Sequence, residues 1–253
     1  MQELDDDVVI CGLVPYRDDD LVVHLLVRGH GRLGAFARGA RKSKRRFPAL
    51  SAPALGHARL RERRGAELWE LTELDVDPVV LGLAADPRAL GHAAYLTELC
   101  ERLLPEAEPS PEVFELVREA IRVVATAGAR TVLLRAFELQ LLRHLGWLPE
   151  LRPLDAPAVA WDAEAGRILT TAAPGTAPFP EDARRAAAAL LEAPLTALPE
   201  VDPGTLRVVS RLFASMLARH VGRPLKSVEF LRALGPSDPV VDEAGIAVAR
   251  PSR

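Results

Sequence analysis

The sequence predicts an α+β protein, with a small closed β-barrel at the N-terminus and an all-α domain behind it. Three observations carry that prediction. Residues 8–76 are a series of short apolar or alternating runs broken by glycine and proline turns. After Pro78 the apolar period lengthens from two to that of a helix. Residues 147–180 then interrupt the helical period with prolines and one hairpin-like alternation.

The strands follow in order. VVICGLV (8–14) is β-branched and apolar, and Pro15 with the aspartates Asp18–Asp20 makes the next turn. LVVHLLVR (21–28) is the second strand, GHGR (29–32) a glycine turn, and LGAFARGA (33–40) a third strand whose glycines predict curvature. RKSKRR is too charged to bury and reads as a loop closed by Phe47-Pro48. ALGHARLRERR (54–64) alternates, with Leu60 on one face and Arg59, Arg61 and Arg63 on the other; ELWELTELDV (67–76) is the fifth strand. Five short, curled strands in under 80 residues fit an OB-fold barrel, whose face and loops bind oligonucleotides. Residues 1–79 are therefore expected to be an OB-fold nucleic-acid-binding domain.

Helical spacing governs residues 87–104, 110–128 and 129–147. Ser110 and Pro111 suit a helix start, and Gly128 and Gly146 suit helix ends. Within the proline-rich insert, AVAWDAEAGRILT reads as a hairpin turning at Asp162–Gly166. Helices resume at 181–193, 205–222 and 223–234, where Ser227 is placed to cap the last one. The helical domain is expected over 80–235, with 236–253 as a flexible tail.

Charge is distributed unevenly. The net charge is -3, yet residues 28–64 hold twelve basic residues against the single acid Glu62. They are Arg28, Arg32, Arg38, Arg41, Lys42, Lys44, Arg45, Arg46, Arg59, Arg61, Arg63 and Arg64. Such clustering points to a polyanion on one face. Cations along a strand and loop neutralise successive phosphates, glycines admit close backbone approach, and Tyr16, Phe36 and Phe47 are candidate stacking partners for unpaired bases. Arg223 and Lys226, at a helix junction, form a candidate accessory contact.

Other chemistries find no constellation. The six histidines lack metal-ligand spacing, and Cys11 and Cys100 stand far apart as two expected buried thiols. There is no P-loop, dinucleotide fingerprint or nucleophile elbow. A metal-dependent nuclease site on Asp18–Asp20 has no third placed carboxylate. The acidic MQELDDD start lacks an apolar secretory segment, and no apolar run reaches the ~20 residues of a membrane span. A cytoplasmic, nucleoid-associated protein with no membrane partner, no catalytic residues, no metal and no cofactor is expected.

Three stretches resemble the bacterial RecO family. PYRDDDLVVHLLVRGHGRLGAFARGARKSKRRF (15–47) is similar to the family's N-terminal signature, LGWLPEL (145–151) to the segment after its central helix, and HVGRPLKSVEFL (220–231) to its C-terminal motif. The resemblance implies an OB-fold followed by a helical domain, and binding and annealing of single- and double-stranded DNA without bond cleavage. It also implies a mediator role, with RecR, in loading RecA onto DNA coated by single-strand-binding protein, whose C-terminal tail is a further implied partner. By the same resemblance Arg38, Arg41, Lys42, Lys44, Arg45 and Arg46 contact DNA. Many family members carry a four-cysteine zinc motif after the LGWLPEL-like segment. Here that region has no cysteine, so 147–180 is expected to be a metal-free relic of a zinc ribbon, held by Trp147, Trp161, Leu151, Ile168 and prolines. An OB-fold RNA-binding regulator is the alternative function.

Overall fold

The computed structural model describes residues 2–43, 45–47, 50–151, 160–162 and 164–235. Lys44, part of the insert and the expected tail at 236–253 lie outside the described residues. Contacts group the chain into two compact units, Met1–Gly128 and Ala129–Arg253.

In the first unit, β1 (Glu3–Tyr16), β2 (Asp20–Val27), β3 (Gly31–Ala37), β4 (Ala54–Arg61) and β5 (Trp69–Val76) close into a barrel in the order β1-β2-β3-β5-β4. The pairings are antiparallel except for a short parallel contact between β3 and β5. The interior is filled by the inward-facing aliphatic residues of each strand, among them Val8, Ile10, Val23, Leu25, Ala35, Leu60 and Leu71, all 2% exposed or less. Strand β4 alternates as the sequence predicts: Ala58 and Leu60 are buried, while His57 and Arg59 are exposed.

Several strand boundaries differ from the sequence expectation, and three of them bear on the basic residues. Strand β1 starts at Glu3 rather than residue 8 because its acidic N-terminal half lies beside a basic strand. Glu3, Asp5 and Asp7 stand opposite Arg61, Arg59 and His57 in the ladder, and opposite charges in register support strand pairing. Strand β3 ends at Ala37, so Arg38 opens the loop instead of lying in the strand. Gly39 turns the chain there at φ +66°, and its N–H is bound by Asp20 Oδ1 at 2.7 Å. Strand β4 ends at Arg61, leaving Arg63 and Arg64 in the β4–β5 connection.

A 3-10 stretch over Pro78–Ala85 leads into α1 (Pro87–Leu103), and α2 (Pro111–Ala127) follows. The Asp86 carboxylate caps α1 by accepting the Arg88 and Ala89 N–H groups at 2.9 and 3.3 Å. Both helices pack on the barrel at β1, and α2 also reaches β4. The residue pattern changes from strand to helix near 79, whereas compactness groups α1 and α2 with the barrel. The approach is close at Gly31, where a Cβ would stand 2.2 Å from the Glu108 carbonyl oxygen.

The second unit contains α3 (Thr131–His144), α4 (Glu181–Glu192), α5 (Pro203–Val221) and α6 (Lys226–Ala233). The insert is a three-stranded sheet in the order β7-β6-β8, from β6 (Ala160–Asp162), β7 (Arg167–Leu169) and β8 (Ala177–Pro178). Its hairpin turns as predicted, with Asp162 accepting the Glu164 and Ala165 N–H groups at 3.1 and 2.9 Å. Trp161 is buried against Phe213 and Phe179, with ring centroids 5.3 and 6.1 Å away. Trp147 instead stacks on His220 at 3.8 Å. Ser227 is buried one residue inside α6, so the cap position falls to Leu225, with no side-chain capping bond. Among the described residues no helix is long and apolar enough to cross a membrane.

Candidate nucleic-acid interface

The barrel sorts the basic residues into two groups. On β4, His57, Arg59 and Arg61 stand in register between two acidic strands. Asp7, Asp5 and Glu3 face them from β1, and Asp75, Glu73 and Glu70 from β5. Arg59 holds Glu73 at 2.8 Å and Asp5 at 3.5 Å, and Arg61 holds Glu70 at 2.5 Å. His57 is bonded through both ring nitrogens, to Asp7 and Asp5 at 2.9 Å each. The Asp7 bond chiefly, with the Asp5 bond behind it, raises the His57 pKa, while the His57 bond lowers that of Asp5. Six carboxylates thus face the two guanidinium groups and one imidazole of β4, and Arg45 and Arg46 of the loop after β3 border the same cavity as Asp5, His57, Arg59, Glu73 and Asp75.

The other group lies around the β1–β2 hairpin and the loop after β3. The aspartates Asp18–Asp20 act here as a latch for that loop. Besides the Asp20–Gly39 bond, the Asp18 carbonyl accepts from Arg41 Nη1 at 3.1 Å, the Asp19 carbonyl accepts the Arg41 N–H at 3.1 Å, and Asp19 pairs with Lys42 at 2.7 Å. These aspartates are thus engaged with the basic loop, and among the described residues no three His, Cys, Asp or Glu side chains come together to hold a metal ion. Arg46 folds back to donate to the Arg38 carbonyl at 2.7 Å and lies over the buried Phe47 ring. Phe47 is therefore a core residue, not a stacking surface.

Among the described residues Arg38, Arg45, Arg63 and Arg64 have no carboxylate within ion-pair distance, and all four are exposed. Arg38 and Arg63 border a cleft of about 590 Å³ that also contains Tyr16, Arg17 and Phe36. Tyr16 is 45% exposed and meets Phe36 edge-on at 5.6 Å. The Arg63 guanidinium lies over the Phe36 ring at 5.5 Å and that of Arg17 over Tyr16 at 5.4 Å. Arg17 was not among the residues singled out from sequence. Its signal there is faint: one cation beside an aromatic, followed at once by three aspartates.

The remaining sequence-selected residues are placed differently. Arg28, at the end of β2, pairs with Glu115 of α2 at 3.1 Å. Arg32 is half-buried, donating to the Glu101 carbonyl and to Glu106 at 3.3 Å, so it fastens β3 to the end of α1. Arg223 and Lys226 are exposed at the α5–α6 junction in the second unit. The cysteines lie on β1 and α1, in the first unit. With Trp161 and Phe179 filling the insert, its described residues offer no thiolate set and do not fit a zinc ion.

Family models for "Recombination protein O N terminal" and "Recombination protein O C terminal" match residues 1–78 and 84–229. Proteins named DNA repair protein RecO are similar over nearly the whole chain. The Myxococcus xanthus (strain DK1622) protein is 37% identical, covering 93% of this chain and 99% of its own length. The Anaeromyxobacter sp. (strain K) protein is 33% identical over 90% of this chain and 95% of its own length. The Geobacter sulfurreducens protein is 31% identical over 91% and 98%.

Proposed function

The chain belongs to the RecO family, and from that premise we propose that it is a DNA repair protein acting in recombination, whose barrel, residues 1–79, binds DNA through the loop after β3 and the adjoining cleft. It binds single and double strands, anneals complementary strands and, with RecR, helps to load RecA onto DNA coated by single-strand-binding protein. The observation that carries the reading is the set of exposed guanidinium groups at Arg38, Arg45, Arg63 and Arg64, which close no ion pair among the described residues, with Arg38 and Arg63 bordering the cleft of Tyr16 and Phe36.

The mechanism needs no bond chemistry. Phosphates replace counterions along the arginines, and each neutralised phosphate releases cations to bulk. Exposed pairs such as Lys42–Asp19 exchange readily for phosphate, because a surface ion pair holds its partner by only about 0–1 kcal/mol. The loop approaches DNA through backbone and side chain together, since Gly39 turns it and the aspartates Asp18–Asp20 fix its base. A strand held by its phosphates keeps its bases available. A second strand meets it with reduced phosphate repulsion, and annealing follows.

The test is annealing of labelled complementary oligonucleotides, bare and coated with single-strand-binding protein, with RecR added in a parallel arm. Acceleration on coated strands that is lost in the Arg38→Glu/Arg45→Glu/Arg63→Glu variant supports the reading; no acceleration on either template rejects it. A matched RNA pair in the same assay tests the RNA-binding alternative, which requires preference for the 2′-hydroxyl strand.

A further inference from the structure

We propose that the cleft between the β1–β2 hairpin tip and β3 seats one unpaired nucleobase, and so gives this barrel a preference for single strands that phosphate contacts alone do not supply. The proposal rests on the reading of the barrel as a DNA-binding surface and names what that surface recognises.

The floor of the cleft is aromatic and its rim is cationic. Tyr16 and Phe36 meet edge to face at 5.6 Å, and Arg17, Arg38 and Arg63 surround them. The two carboxylates that also border the space are engaged: Asp20 accepts the Gly39 N–H at 2.7 Å, and Glu70 holds Arg61 at 2.5 Å. The rim therefore favours an anion while the floor favours a flat π-face.

Both rings are covered by cations. Arg17 lies 5.4 Å over Tyr16 and Arg63 lies 5.5 Å over Phe36. A guanidinium plane on a ring occupies the position that a stacked base would take, and it is a weak occupant, since exposed cation–π contacts are readily exchanged. A nucleotide entering the cleft replaces these cations on the rings with its base and offers them its flanking phosphates. Both partners gain, and no new charge is buried.

The backbone at Arg17 points the same way. Its φ is +57°, a left-handed conformation that residues with side chains seldom adopt. It opens the turn Arg17–Asp19 that joins β1 to β2, with Tyr16 paired to Asp20 across the hairpin end. In this turn the guanidinium lies over the ring beside it. Strained backbone of this kind is concentrated at ligand-contacting positions.

Only an unpaired base satisfies the floor. In a duplex each base face is covered by its neighbours, whereas a single strand offers free faces to aromatic side chains. The phosphate-binding loop, by contrast, makes no such distinction.

The experiment compares the affinity of the full chain for three probes: an oligo-dT, an abasic strand with the same length and phosphates, and a duplex of equal length. The proposal expects oligo-dT to bind roughly tenfold tighter than the abasic strand, the scale of one base–aromatic stack. Tyr16→Ala is expected to erase that difference by weakening oligo-dT alone, and Arg17→Gly, which suits the left-handed turn, to weaken oligo-dT and abasic strand together. Equal binding of oligo-dT and abasic strand by the unaltered protein overturns the base seat while leaving DNA binding by the loop intact. Binding of none of the three probes overturns both. Because the central comparison changes only the probe, it does not depend on any variant folding.

Discussion

The arginines of β4 and those around the loop after β3 look alike in the sequence and differ entirely in the barrel. Arg59 and Arg61 alternate with buried residues on a regular strand and stand opposite carboxylates on both sides. Arg38, Arg45, Arg63 and Arg64 lie where strands have ended, with no acidic strand in register. On β4 the ladder itself supplies the carboxylates, whereas these four connection arginines have none within ion-pair distance among the described residues. Position relative to strand ends therefore separates ion-paired arginines such as Arg59 and Arg61 from the four proposed to meet DNA, where charge density does not.

The largest effect follows from reversing the second group. Arg38→Glu/Arg45→Glu/Arg63→Glu is expected to lower DNA affinity on the order of a hundredfold at moderate salt, since three phosphate contacts become repulsions. The melting temperature should hardly change, because none of the three closes an ion pair among the described residues. Arg59→Ala/Arg61→Ala is the matching control. Its DNA affinity should stay within roughly threefold, while the melting temperature falls slightly, since solvent-exposed ion pairs contribute little to stability. Equal losses of DNA affinity in the two variants would break the comparison.

Salt dependence sharpens it. With about six phosphates neutralised on a single strand, log K should fall with log salt at a slope near -4, and replacing Arg38, Arg45 and Arg63 by Gln should bring it to about -2. A slope near zero for the unaltered protein would remove the electrostatic basis of binding altogether.

Much of this was legible in the sequence, and the exceptions have physical causes. Five strands, the change of period at 78 and the hairpin at Asp162 follow from local patterns of residue type. Pairing across strands does not. Glu3 to Asp7 read as an acidic terminus because the basic residues of β4 that draw them into a strand lie some fifty residues away. For the same reason Arg59 and Arg61 counted as free cations, and Arg32 as a phosphate contact although it fastens β3 to α1. Phe47 and Phe36 are both loop-adjacent aromatics in sequence; burial alone tells them apart. Arg17 carries only a faint signature, one cation between an aromatic and three aspartates, and its left-handed backbone carries none.

The first unit also makes a smaller prediction about its interior. Burial pushes the Cys100 thiol up to about 12, with the nearby Glu101 charge adding to it. The side chain is 0% exposed on α1. Reaction of Cys100 with a thiol reagent at pH 8 should therefore proceed only as fast as the protein opens. Single-strand DNA should leave that rate nearly unchanged. Immediate labelling at Cys100, read apart from the partly exposed Cys11 by peptide mapping, would show that α1 does not stay seated on the barrel.

The smallest effect lies on the acidic face and separates folding from binding by pH. His57 carries a pKa raised above its ordinary 6.5, first by its bond to Asp7 and then by that to Asp5. Its contribution to stability is present in full below about pH 6.5 and is lost as pH rises through the raised folded value. Asp5 is shifted the other way, below its ordinary 3.8, chiefly by the His57 bond, so its share is present above that pH and lost as pH falls through the lowered value. Stability from the His57–Asp5 pair should thus be greatest between about pH 4 and 6.5 and decline on the alkaline side. His57→Gln should flatten that decline in a series of melting curves. DNA affinity over the same range should not follow it, because His57 sits among carboxylates that repel phosphate. If affinity instead fell with the deprotonation of His57 and the fall vanished in His57→Gln, DNA would be using the β4 face, and the division between paired and free cations would have to be redrawn.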